Sequence, residues 1–300
     1  MKVLITGAWQ GAKEQLNRIE EMGYEVVFMQ YEKDSLPCDP KDIDGVVCNG
    51  LFLTHDINEF TNLRFIQLTS AGYDRIPLEY VKEKGIKTFN ARGVYSIPMA
   101  EYALWGVLSL YKRARFFENN RLQRKWDKHR EIPELFDKTV AIIGCGNVGY
   151  ECAKRFKAFG VNLIGVDLVK RQDEAFGSVY SIDELDKALN IADVVVLTLP
   201  LTEATKGLFN GDRFLAMKSG SVLVNISRGA IVEEKALIEA LKDKLFGAVL
   251  DVFEEEPLGE SSELWELENV IVTPHNSFVG ENNTNRLTKI ILDNLKGISA

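Results

Sequence analysis

The stretch Val140-Ala141-Ile142-Ile143-Gly144-Cys145-Gly146-Asn147-Val148-Gly149 decides the fold. Four apolar residues rich in β-branching and bounded by glycine read as a short buried strand. The glycines that follow open an amphipathic helix predicted over 148–159. In a turn of this kind the first glycine permits the tight bend and the second lets the backbone approach a pyrophosphate. The third lets helix and strand pack closely, and the unpaired N–H groups of the helix start face the phosphates. Gly144, Gly146, Asn147 and Val148 are therefore candidate dinucleotide-binding residues. Alone, this spacing is a weak signal. It is strengthened by Asp167, 18 residues beyond Gly149 at the end of the next predicted strand. A carboxylate there accepts hydrogen bonds from a ribose diol and repels a 2′-phosphate. NAD is expected over NADP, with Lys170 and Arg171 near enough to moderate that preference.

On both sides of this turn, short β-branched runs alternate with helix-length amphipathic segments, the pattern of parallel α/β architecture. Strands are predicted at 2–6, 25–29, 45–48, 64–69 and 86–89, with helices at 12–22 and 78–84 between them. A second series follows at 140–143, 162–166, 194–199, 222–225, 248–250 and 270–273, with helices at 148–159, 182–189, 212–217 and 233–241. A long apolar helix is expected over 97–117, and the domain join just before it, near Val94. The last helix, 283–295, is expected to pack back on the first unit. The expectation is two Rossmann-like parallel-sheet domains: a substrate domain of residues 1–94 plus 277–300 and a dinucleotide domain of 95–276. A rival glycine pair, Gly7 and Gly11, lacks the spacing and a placed acid, and reads as an ordinary loop.

Composition narrows the class. Three hundred residues suffice for two domains, and 46% hydrophobic with 27% charged residues is a globular balance. Lys and Arg number 36 against 44 Asp and Glu, a formal charge of −8, which argues against a nucleic-acid binder. Apolar runs such as 194–199 are far too short to span a bilayer, and the first residues read as a strand, not a signal peptide. Cys38, Cys48, Cys145 and Cys152 have neither CxxC nor metal-ligand spacing. They are expected to be reduced thiols in a cytoplasmic protein with no metal site.

Only three histidines are present, and a histidine is the commonest proton donor near neutral pH. His129 lies in a charged run and His55 in a loop or helix start. His275 follows 270–274 directly, past the carboxyl end of a predicted strand, the edge where open α/β sheets bind ligands. Arg228 stands just past another strand end, and its planar fork suits a carboxylate. The acidic run Glu254-Glu255-Glu256 follows a third. An arginine, a carboxylate and a histidine from three strand ends suit hydride transfer to a 2-oxo acid. Arg228 would hold the carboxylate and polarise the carbonyl, and His275 would donate the proton to oxygen. Glu256 would orient the imidazole and set a negative charge beside it.

These residues resemble the D-isomer-specific 2-hydroxyacid dehydrogenase family over nearly the whole chain. The most specific blocks are Asn225-x-x-Arg228-Gly229, Asp251-Val252-Phe253-x-x-Glu256-Pro257 and Pro274-His275. The segment Leu199-Pro200-Leu201-Thr202 with Thr205 is similar to the family's cofactor-facing loop. Ala100-Glu101 matches the start of its long helix, and Ser70-Ala71-Gly72-Tyr73-Asp74 resembles its substrate loop. The resemblance implies a flavodoxin-like substrate domain, an NAD-binding domain and a cleft between them. It singles out Glu256 within its acidic run and makes Arg228, Glu256 and His275 catalytic. It further implies cofactor contacts at Leu199, Pro200, Thr205, Ile226, Ser227 and Asp251, and substrate contacts at Leu51, Ala71, Gly72 and Arg228. A homodimer through the helix after Val94 is likewise implied.

Two departures bear on substrate. The loop Cys48-Asn49-Gly50-Leu51-Phe52 is uncharged where phosphoglycerate dehydrogenases present arginines, and a phosphate without a cationic partner binds poorly. Asn276 and Ser277 replace a small apolar pair. The expected partner is a small unphosphorylated 2-oxo acid or its D-2-hydroxy acid. The alternatives are D-3-phosphoglycerate oxidation and a non-catalytic NAD(H)-sensing scaffold of the same fold.

Overall fold

A computed structural model describes residues 1–299. The chain divides into two units, Met1–Tyr95 with Gly280 onward, and Ser96–Val279.

The first unit carries β1 (Lys2–Thr6), α1 (Ala12–Glu20), β2 (Glu25–Met29), β3 (Gly45–Cys48), β4 (Phe65–Leu68), α2 (Leu78–Glu83) and β5 (Lys87–Phe89). Its five strands are parallel in the order β2-β1-β3-β4-β5, the flavodoxin-like arrangement. β3 and β4 are buried throughout, as their unbroken apolar runs require. The C-terminal helix, Asn283–Ser299, completes this core by setting Leu287, Ile291, Leu292 and Leu295 against Val3, Ile5, Trp9 and Phe65. Each such side chain contributes about 1.5–3 kcal/mol on burial. Polar contacts fix the helix in place: Tyr24 donates to the Leu295 carbonyl at 2.7 Å, and Asn294 to the buried Gln67 at 2.7 Å.

The second unit begins with α3 (Ser96–Tyr111) and α4 (Ala114–Leu122), then runs β6 (Thr139–Ile143), α5 (Asn147–Lys157), β7 (Asn162–Asp167), β8 (Arg171–Asp173), β9 (Gly177–Ser181), α6 (Leu185–Ile191) and β10 (Val194–Leu197). It closes with α7 (Gly211–Ala216), β11 (Val222–Asn225), α8 (Glu234–Asp243), β12 (Gly247–Leu250) and β13 (Val270–Val272). The sheet order is β13-β12-β11-β10-β6-β7-β9-β8, parallel except for β8. Strand order therefore reverses at β6, with β7 on one side and β10 on the other, which is the switch point where dinucleotides bind.

The single helix expected over 97–117 is two helices. Arg113 adopts φ 53°, a left-handed conformation that ends the first helix, and its guanidinium lies 4.6 Å from the centroid of the Phe246 ring. The hairpin of β8 and β9 lies outside the predicted strands; its polar, glycine-bearing sequence has no hydrophobic alternation to mark it. Among the described residues no helix is long and apolar enough to cross a membrane, and no group of ligands could hold a metal ion.

Candidate active site

Six neighbouring strands of the second unit deliver every sequence-predicted residue of that unit to one edge. From the centre outward, the turn after β6 carries Gly144 to Gly149, and β7 ends in Asp167. On the other side, Leu199 and Pro200 follow β10, Ser227 and Arg228 follow β11, Asp251 to Glu256 follow β12, and His275 follows β13.

The turn has the shape a pyrophosphate needs. Gly144 has φ +106°, and a Cβ there would lie 2.9 Å from the Thr198 carbonyl carbon. A Cβ on Gly149 would sit 2.1 Å from the Gly144 oxygen, so helix and turn could not close with any larger residue. At Gly146, the residue that caps α5, the same Cβ would meet nothing within 4 Å, leaving the approach open. Asn147 and Val148 form the first turn of α5. The residues present thus fit a dinucleotide. Cys145 beside them is buried, and burial pushes its thiol up to about 12, with Asp167 adding to the effect.

Asp167 accepts the Leu168 N–H at 2.8 Å and pairs with Arg171 at 3.3 Å; Arg171 also lies 3.6 Å from Asp173. Lys170 pairs instead with Glu184. In the loop after β10, Thr205 donates to the Pro200 carbonyl at 2.7 Å and so holds Leu199 and Pro200 in place. Ile226 and Ser227 are buried.

Asn225 fixes the arginine. Its Oδ1 accepts the Ser227 N–H at 3.1 Å and hydroxyl at 2.8 Å, while its Nδ2 donates to the Arg228 carbonyl at 3.1 Å. The half-buried Arg228 guanidinium donates to the Ser227 carbonyl at 2.8 Å. Gly229 follows because a Cβ there would lie 1.8 Å from the backbone of Phe253. That contact presses the arginine loop against the loop that carries Glu256.

Geometry separates the three glutamates. Glu254 accepts the backbone N–H of Glu234 at 2.8 Å. Glu256 accepts the Phe253 N–H at 3.1 Å with one oxygen and lies 2.7 Å from Nδ1 of His275 with the other. His275 is half-buried with φ 49°, unusual for a residue with a side chain. Its conformation is held by Asp251, whose carbonyl accepts the His275 N–H at 2.8 Å. The fully buried carboxylate of Asp251 accepts the Thr273 hydroxyl at 2.8 Å and the N–H groups of Asn276 at 2.7 Å and Ser277 at 2.8 Å. Sequence reasoning placed Asp251 near the cofactor and overlooked Asn225 and Thr273 as braces. Their signal was polarity inside otherwise apolar strand ends.

The other two histidines lie elsewhere. His129 stacks edge-on against Phe116 at 5.2 Å, and Nε2 of His55 is 2.9 Å from the Glu32 carbonyl oxygen.

In the first unit, the loop after β4 is braced by Asn90, which donates to the Ala71 carbonyl at 2.5 Å, and by Ser70, which donates to the Gly72 carbonyl at 3.1 Å. Among the described residues, neither the Ala71 nor the Gly72 N–H donates to a protein acceptor. Leu51 is fully buried in the core with Ile66 and Leu68, so it supports the edge from beneath and presents no surface there.

Residues 104–277 match the family model described as D-isomer specific 2-hydroxyacid dehydrogenase, NAD binding domain. The chain is 34% identical over 304 residues to D-3-phosphoglycerate dehydrogenase of Methanocaldococcus jannaschii, covering 99% of this chain but only 57% of that one. It is 35% identical over 257 residues to hydroxypyruvate reductase of Thermotoga maritima, covering 84% and 83%. Its fold matches D-lactate dehydrogenase from Aquifex aeolicus complexed with NAD and lactic acid, with a TM-score of 0.79, 27% identity and coverage of 99% and 95%. The chain belongs to the D-isomer-specific 2-hydroxyacid dehydrogenase family, and its second unit is that family's NAD-binding domain.

Proposed function

We propose that this protein is an NAD(H)-dependent oxidoreductase that interconverts a small unphosphorylated 2-oxo acid and its D-2-hydroxy acid. The observation that carries this reading is the 2.7 Å contact between Glu256 and His275 on the ligand-binding edge. When bound, the nicotinamide supplies the hydride; the remaining work falls to the chain's own side chains. With Nδ1 directed at Glu256, His275 keeps Nε2 as the atom that gives a proton to the carbonyl oxygen or takes it back. Arg228 grips the carboxylate and polarises the carbonyl, and its own loop is fixed by Asn225 and Gly229. In the first unit, the Ala71 and Gly72 N–H groups are further carboxylate donors. Phosphoglycerate oxidation has the Methanocaldococcus relative in its favour; the uncharged Asn49–Phe52 segment stands against it. Exposed Trp105, Phe117, Leu122 and Trp126, on and just beyond α3 and α4, support a homodimer through that surface.

The test is loss of NADH absorbance with glyoxylate, hydroxypyruvate, pyruvate and 2-oxoisocaproate, with NADPH run in parallel. Turnover of at least one is expected. Tight NADH binding without turnover of any would overturn the enzymatic reading in favour of a sensing scaffold.

A further inference from the structure

The carboxyl edge of the first unit holds two neighbouring sets of backbone donors, and they are in opposite states. β3 and β4 pair directly, with Cys48 opposite Leu68. After β4, the Ala71 and Gly72 N–H groups donate to no protein acceptor among the described residues. After β3, the first two backbone donors are already taken. Oε1 of Glu32 accepts the Asn49 N–H at 2.7 Å and Oε2 accepts the Gly50 N–H at 2.6 Å. The same carboxylate accepts the Thr6 hydroxyl at 2.7 Å from the end of β1. These are the short lengths of bonds to an ionised acceptor.

Glu32 reaches this position from the turn after β2, and its own backbone is pinned there. Thr54 donates to its carbonyl at 3.0 Å, and Nε2 of His55 lies 2.9 Å from the same oxygen. Among the described residues no lysine, arginine or histidine side chain forms an ion pair with its carboxylate, which is held by hydrogen bonds from Thr6, Asn49 and Gly50 alone and keeps its negative charge at the edge. A substrate group reaching this edge therefore meets a fixed negative charge. The amides that could have held a phosphate or sulfonate there are filled from within.

We infer that Glu32 is a specificity-determining residue: an internal anion that restricts the substrate to 2-oxo acids whose reacting carboxylate is their only charged group. This rests on the proposed 2-oxo acid reductase activity and sharpens it. It excludes phosphorylated, sulfonated and dicarboxylic 2-oxo acids alike through like-charge repulsion and lost donors.

Two measurements test it. In the first, kcat/KM for hydroxypyruvate is compared with those for 3-phosphohydroxypyruvate, 3-sulfopyruvate and 2-oxoglutarate. The wild type should disfavour every dianion, and Glu32→Gln, which keeps the shape and removes the charge, should narrow the gap by about tenfold or more. Glu32→Asp, which keeps the charge and disturbs the contacts, should retain the discrimination. A purely structural role would move both variants together and would overturn the inference, as would a wild type that prefers a dianion. Those outcomes leave the reductase reading intact, whereas no turnover of any acid would remove that reading.

The second measurement does not depend on turnover. Inorganic phosphate is titrated into ¹⁵N-labelled protein, and the Asn49 and Gly50 amide resonances are followed. They should be silent in the wild type and move in Glu32→Ala. Silence in both proteins would mean that these amides are no anion seat, and the inference would fall.

Discussion

Glu256 and His275, 19 positions apart in the chain, meet at 2.7 Å between Oε2 and Nδ1. They stand on loops that follow adjacent parallel strands, β12 and β13. Neither loop is free to drift: the Glu256 loop is pressed against Gly229, and the His275 loop is tied to the carboxylate of Asp251. The sheet thus converts separation along the sequence into a fixed contact, the rigidity that acid–base chemistry demands.

Loss of the imidazole should be the costlier change at this pair. His275→Ala is expected to lower kcat by about 10²–10⁴-fold, since it removes the proton donor. Glu256→Gln keeps a hydrogen-bond acceptor and loses only the charge, so a smaller loss is expected. NADH affinity, read by fluorescence titration, should be nearly unchanged in both. Normal turnover by His275→Ala would remove His275 from the acid role.

At the cofactor end, Asp167 and Arg171 answer to one another. Their 3.3 Å pair holds the guanidinium beside the carboxylate expected to meet the ribose. Asp167→Ser should remove the repulsion of a 2′-phosphate and release Arg171 toward it. The ratio of kcat/KM for NADPH to that for NADH should rise by about tenfold or more, by analogy with other like-charge exclusions. Adding Arg171→Ala should cancel much of the gain. An unchanged ratio in Asp167→Ser would mean that another residue sets cofactor choice.

Gly229 offers a test of packing. An alanine Cβ at that position would lie 1.8 Å from the Phe253 carbonyl carbon and oxygen, both backbone atoms that no rotamer change can move. The two loops must separate, and Gly229→Ala should cost more than about 3 kcal/mol in urea denaturation. Gly211→Ala is the control, because its Cβ would meet nothing within 4 Å; it should be neutral or stabilising by up to about 1 kcal/mol. Equal stability of the two variants would show that the backbone approach at Gly229 is relaxed at no cost.

Strands buried on both faces were the most legible part of the fold. β1, β3 and β11 have the bounds their apolar runs predict, since a four- or five-residue β-branched run has few other uses. The hairpin of β8 and β9 was not legible, because its polar faces carry no periodicity. The break at Arg113 was hidden as well: apolar spacing continues across it, and only a left-handed φ stops the helix. At the site, residue types at strand ends identified the charged groups. The braces at Asn225, Asp251 and Thr273 act through hydrogen bonds to backbone and to neighbouring side chains, for which sequence spacing carries no signature. Glu32 is the extreme case, an unremarkable acid in a turn whose partners lie on β1 and after β3.

The opposite edge of the second sheet carries a pH-dependent tie. Asp193, which precedes β10, accepts the Thr139 N–H of β6 at 2.9 Å and the Lys218 ammonium at 2.7 Å, with Lys138 at 3.8 Å. Its side chain is only 15% exposed. Desolvation alone would raise its carboxyl, but the contacts with Lys218 and Thr139 and the charge of Lys138 outweigh burial and hold it below its ordinary value of 3.8. A carboxyl lowered by folding stabilises the native state fully above its unfolded value, and the contribution is lost as pH falls through the folded one. Asp193→Asn should therefore cost about 1–3 kcal/mol at pH 7. The gap to the wild type should begin to narrow as the medium is acidified below about pH 4, where the unfolded carboxyl takes up a proton before the folded one does. Urea midpoints at pH 7, 5 and 3.5 measure this directly, and a gap that stays constant across them would show that the tie acts through packing and not through charge.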